Sequence, residues 1–137
     1  MRLLAACLAI WPGLLSAGGL AVIVEMPCYP EDKFHICRVP VVDGHYPGYL
    51  PRTVPSHVRL APGDPVKRTL FGPPVQSLDV FVTPNLVPYY EAVQDAAMVF
   101  AAQCGRQGQE AVVARITERY RYAPEDVESW KFTAVCD

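Results

Sequence analysis

The chain has 137 residues, of which twelve are basic and fourteen acidic, and it is 51% hydrophobic. Setting aside an apolar N-terminal stretch leaves roughly 115 to 120 residues, one modest domain and too few for two, which excludes most multi-domain cofactor enzymes. The composition is too apolar for intrinsic disorder, and the near-neutral charge gives no reason to expect nucleic acid as a partner.

Arg2 supplies a short positive start, and Leu3 to Val24 then run without charge through the small residues Ser16, Ala17, Gly18 and Gly19. This is the pattern of an export signal over residues 1–19, with cleavage expected between about residue 17 and residue 21. An uncleaved membrane anchor is the alternative, and Pro12, Gly13, Gly18 and Gly19 argue against a regular spanning helix. With the signal removed, no stable membrane insertion is expected. Leu4-Ala5-Ala6-Cys7 looks like a bacterial lipobox, but the six residues before Cys7 leave no hydrophobic region ahead of it.

Cys28, Cys37, Cys104 and Cys136 then form an even set on a small exported domain, so two disulfides are expected. The pairing favoured is 28 with 37 and 104 with 136, because each pair lies within one composition block. A metal site on Cys28, His35 and Cys37 is disfavoured by the eight-residue gap between the cysteines. No metal and no cofactor is expected.

Residues 20–74 form a proline-rich segment that cannot hold long helices. Val22 to Glu25, His35 to Val42, Val58 to Leu60 and Val66 to Phe71 read as edge strands and loops between the breakers. Pro62-Gly-Asp-Pro65 and Phe71-Gly-Pro-Pro74 are turn signals.

Residues 75–137 read as strand, helix, strand, strand. Leu78 to Thr83 is a short β-branched run closed by Pro84. A helix follows, with Asn85 as its expected cap, Pro88 in its first turn and Gly105 as its stop. Tyr89, Val93, Ala96, Ala97, Phe100 and Cys104 make one apolar face, with Glu91, Gln94, Asp95 and Gln103 off it. Ala111 to Tyr122 alternates, with Val112, Ala114, Ile116, Tyr120 and Tyr122 expected inward and Arg115, Thr117, Arg119 and Arg121 outward. A turn at 123–126 leads to Glu128 to Cys136, and the two runs predict an antiparallel hairpin. The fold class is therefore α+β: a β-α-β-β unit with one helix on an antiparallel sheet, joined in one domain with a disulfide-stapled irregular segment.

The candidate binding residues are the outward cations Arg115, Arg119, Arg121 and, from the last strand, Lys131. Such a row suits an anionic partner; the alternative is a solvated face neutralised by Glu125, Asp126 or Glu128. Loop aromatics Tyr29, Phe34, Tyr46 and Tyr49, with His35 and His57, form a second cluster suited to a binding surface or to patching a small core. Ser56, Ser77 and Ser129 lie in no G-x-S-x-G setting, so no catalytic signature is present. The sequence thus leads to a small periplasmic or secreted binding or envelope-accessory module, with an envelope protein, peptide or glycan as partner. A hydrolase or isomerase using Asp43, His45 or His57 is the catalytic alternative, and a membrane-anchored accessory subunit is a third. Few lysines, one asparagine and many Ala, Arg and Pro suggest a GC-rich bacterial genome.

Overall fold

A computed structural model of the chain describes residues 21–106 and 112–137. The expected export signal and Cys7 lie outside the described residues, as does Ala111 at the start of the expected second strand of the C-terminal unit.

The elements in chain order are β1 (Ala21–Pro27), β2 (Ile36–Val42), β3 (His57–Pro62), β4 (Val66–Lys67), β5 (Pro74–Val75), β6 (Ser77–Thr83), α1 (Tyr89–Gly105), β7 (Val113–Tyr120) and β8 (Trp130–Cys136). Six strands form one sheet in the order β2-β1-β7-β8-β6-β3, and β4 and β5 pair separately. Every neighbouring pair in the large sheet is antiparallel except β1 with β7. One helix on a mostly antiparallel sheet is the expected α+β class.

The helix covers one face of this sheet. Val22, Val24, Val80, Val82, Ala114, Ile116, Phe132 and Ala134 point toward it at alternate strand positions, and Val93, Ala96, Ala97 and Phe100 meet them from α1. Fully burying side chains such as Phe100 and Phe132 is worth roughly 1.5–3 kcal/mol each. Both disulfides pair as the block argument requires, Cys28 with Cys37 and Cys104 with Cys136. The second ties the last turn of α1 to the end of β8, because both cysteines lie on core-facing stripes.

The proline-rich segment does more than add edges. β1 is an interior strand, paired with β2 on one side and β7 on the other. Its run AVIVEMP holds no proline until its last position, so every amide that the two ladders need is present. Pro40 falls instead in β2, an edge strand where a missing N–H is tolerated. In the expected strand Val66 to Phe71 only Val66–Lys67 is extended. The remainder turns, and Thr69 Oγ1 accepts the Gly72 N–H at 2.8 Å.

One further expectation is corrected at the helix. Asn85 does not cap it: Pro88 holds the N-cap position without a side-chain bond. Asn85 Nδ2 instead donates to the carbonyls of Arg121 and Val127, both at 2.9 Å, and so ties the β6–α1 loop to the β7–β8 loop. The polar side of the helix is covered as well. Glu91, Gln94 and Asp95 are buried, because residues 49–53 cross over them on the way from β2 to β3. Helical periodicity marks which residues face the sheet; it carries no information about a strap arriving from the other side.

Candidate functional site: an arginine and aromatic cleft at the loop end of the sheet

The strand directions bring three loops to one end of the sheet: the disulfide loop between β1 and β2, the β6–α1 loop, and the β7–β8 loop. Exposed Tyr29, Phe34, Leu86, Tyr90, Tyr122 and Val127 all lie at this end. Apolar side chains gathered on loops at one end of a rigid sheet are the usual makings of a binding surface.

The cation row predicted from parity is divided between two faces. A β-bulge in β7 breaks its register with β8: Ile116 stands opposite Ala134, but Glu118 stands opposite Thr133. Thr117 is the extra residue, and beyond it the faces exchange. Arg119 therefore stands opposite core-facing Phe132, on the helix side, while Tyr120 stands opposite Lys131 on the other face. Tyr120 and Tyr122, expected inward, are both exposed.

Arg115 and Lys131 occupy the face away from the helix, and both are paired. Arg115 binds Glu25 through Nε at 2.7 Å and also reaches Asp137. Asp137 takes Arg68 at 2.6 Å and Glu25 takes Arg38, so five side chains alternate in charge across this face. The hydrogen bond to Glu25 raises the Arg115 pKa. Lys131 lies between Glu125 and Asp79. Burial pulls its pKa down, but these carboxylates outweigh burial and raise it. Neither cation is available to a ligand without breaking these pairs.

Arg119 and Arg121 lie at the loop end instead. They line a cleft of about 360 Å³ together with Pro30, Glu31, Tyr89, Tyr90 and Trp130. Arg119 donates from Nε to Pro30 O at 2.9 Å and from Nη2 to the carbonyls of Tyr29 and Asp32 at 3.0 and 3.2 Å. It thereby fixes the disulfide loop as one wall. The Arg121 guanidinium lies 5.6 Å from the Trp130 ring centroid and pairs with no carboxylate among the described residues. Behind both, Tyr89, Trp130 and Phe132 form an aromatic layer with centroids 5.6 to 6.1 Å apart. Trp130 Nε1 donates to Val87 O at 2.7 Å and the Tyr89 hydroxyl to Pro27 O at 2.7 Å, so both polar tips are satisfied. Burial pushes the Tyr89 phenol well above its ordinary range.

His57 does not meet Asp43 and His45. Asp43 and Gly44 form the turn that follows edge strand β2, both at positive φ, and Val42 pairs with His45 across it. His57 opens β3, the opposite edge. Five inter-strand steps of about 4.8 Å separate those edges, on the order of 24 Å. His35 Nδ1 bonds Asp32 in the disulfide loop, and the Phe34 N–H together with His35 lowers the Asp32 pKa. Cys28 and Cys37 are joined to each other and hold no free thiolate for a metal. Among the described residues no three His, Cys, Asp or Glu side chains are grouped to hold an ion. Ser129 is fully buried and donates to Asp126 within the β7–β8 turn.

The sequence did not single out Tyr90 or Trp130 as site residues, although both line the cleft. One signal was present. Glu118 occupies an inward position of an otherwise alternating strand, and that break in pattern marks the bulge that turns Arg119 toward the helix.

Comparison with protein-family models, with curated protein sequences and with solved structures gives no match.

Proposed function

We propose that this is a small exported binding module of the bacterial envelope or medium, without catalysis, whose ligand end is the cleft between the disulfide loop, the start of α1 and the β7–β8 loop. The observation that carries this reading is Arg121, a cation stacked on an aromatic layer with no carboxylate partner among the described residues, beside an Arg119 spent on holding the wall. A guanidinium in that setting favours an anionic group, and Tyr90 and the loop side chains offer apolar surface next to it. Glu31 on the rim sets an orientation by repelling a carboxylate from that side. An envelope protein, peptide or glycan can present such a group.

Two disulfides fit an oxidising compartment. Among the described residues no helix is long and apolar enough to cross a membrane. Residues 1–19 are proposed as the export signal, which makes the working form a free periplasmic or secreted domain.

Benzoate and its neutral counterpart benzamide test the cleft directly by NMR. Benzoate is expected to shift the Trp130 indole and Tyr90 ring resonances, with the effect lost in Arg121→Gln and weak for benzamide. Equal shifts for both molecules, or shifts confined to other regions, would overturn the reading. Intact mass spectrometry of protein from its native host tests export. An N-terminus near residue 18 to 22 supports it, whereas retained Met1 would restore the anchored alternative.

A further inference from the structure

A second cavity of about 320 Å³ lies beside the arginine cleft, and Tyr90 lines both. Its floor is α1 at Val93, its wall the Cys28–Cys37 disulfide with Met26 and Val39, and its roof the strap at Tyr46 and Leu50. The roof is held in place. Gln94 bonds the backbone of Leu50 on both sides, and Tyr49 donates to Asp95 at 3.2 Å. The groove is therefore built before any ligand arrives, which removes the cost of ordering it on binding.

The lining of this groove is almost wholly apolar. Gln94, its one amide, is spent on Leu50. The Tyr46 hydroxyl has only the Met26 sulfur at 3.8 Å, a weak acceptor, and burial raises its pKa. This matters for what fits. A peptide laid in the groove would bring backbone N–H and C=O groups that need partners, and those of Leu50 are already taken. An alkyl chain brings none. The cleft next door, across Tyr90, is where an anionic head would find Arg121.

We infer that the arginine cleft and the apolar groove together form one site for a single-chain anionic amphiphile of the fatty-acid type, its head at Arg121 and its chain passing Tyr90 into the groove beneath the strap. The inference rests on the cleft reading for its head group and adds the groove, the chain and the connection between them.

Isothermal titration with a series of straight-chain carboxylates from butyrate to dodecanoate, each below its micelle concentration, tests it on the unmodified domain. Affinity is expected to rise roughly two- to fourfold per added methylene until the groove is filled, given the transfer free energy of a buried methylene. Dodecanol, which lacks the head charge, should bind at least tenfold more weakly than dodecanoate. Val39→Phe, on edge strand β2, should fill the groove and flatten the chain-length dependence. Leu50→Ala should weaken dodecanoate binding. Carboxylates that bind at Arg121 with no dependence on chain length would overturn the amphiphile inference and leave the cleft reading standing. Dodecanol binding as tightly as dodecanoate, with Arg121→Gln silent, would remove the anionic head and the cleft reading with it.

Discussion

The side-chain amide of Gln94 pairs with both backbone groups of Leu50: Oε1 accepts the Leu50 N–H at 2.8 Å, and Nε2 donates to the Leu50 carbonyl. A helix residue thus serves the strap as a strand neighbour would. Thr53 adds its N–H and its hydroxyl to Glu91, and Arg52 reaches Asp95. Polar contacts from Tyr49, Leu50, Arg52 and Thr53 therefore seat residues 49–53 on α1, with little apolar burial to help them. Replacing Gln94 with Leu is expected to destabilise the domain by roughly 1–2 kcal/mol, because two partly buried backbone groups lose their partner at once. Urea unfolding measures this. A cost below about 0.5 kcal/mol would mean that water serves the strap equally well.

The two disulfides should differ in their contribution. They close loops of 9 and 32 residues. In the chain-entropy model the longer is worth about 3.7 kcal/mol and the shorter about 2.6. Cys104→Ala with Cys136→Ala is therefore expected to lower stability more than Cys28→Ala with Cys37→Ala. Removing the shorter bridge should instead have the larger effect on ligand binding, since it frees the wall that Arg119 holds. Paired denaturation and titration of both variants check the reversal; the same ranking in both assays would contradict it.

The division of the cation row makes a prediction by face. Arg115→Gln and Lys131→Gln are expected to leave benzoate binding unchanged, and Arg121→Gln to reduce it at least fivefold. Stability should show the opposite order. Arg115 bridges Glu25 and Asp137, so its loss should cost about 1 kcal/mol, the upper range for partly exposed pairs, whereas Arg121 should cost less. Loss of binding on removing Arg115 would place the ligand on the face away from the helix.

Much of this arrangement was legible in the sequence. The two disulfides, the helix face from Tyr89 to Cys104, and the β7–β8 hairpin follow from local rules: parity, helical period and cysteine blocks. What escaped is non-local. The interior position of β1 depends on a parallel partner about ninety residues away, which no pattern within AVIVEMP specifies. The burial of Glu91, Gln94 and Asp95 depends on where a proline-rich strap runs. The arginine cleft depends on one extra residue in β7, flagged only by Glu118. Parity reasoning finds the core side of a strand reliably until a bulge intervenes, and then it misplaces every residue beyond it.

Asp95 gives the fold a distinctive pH response. Burial is the largest influence on its carboxyl and raises the pKa, with Arg52 and the Tyr49 hydroxyl opposing it. A carboxyl whose pKa is higher in the folded than in the unfolded chain contributes most below its unfolded value, near 3.8, and that contribution is lost as pH rises through the folded value. Asp95→Asn removes this titration while keeping an acceptor for Tyr49. The stability of the variant relative to the parent protein should therefore move in favour of Asn as pH is raised from 3 to 7, with the carboxyls other than neighbouring Glu91 cancelling in the difference. Urea titrations of both proteins at several pH values give the slope. A difference that moves in favour of Asp would mean that Arg52 outweighs burial, and that the strap is held to α1 chiefly by charge.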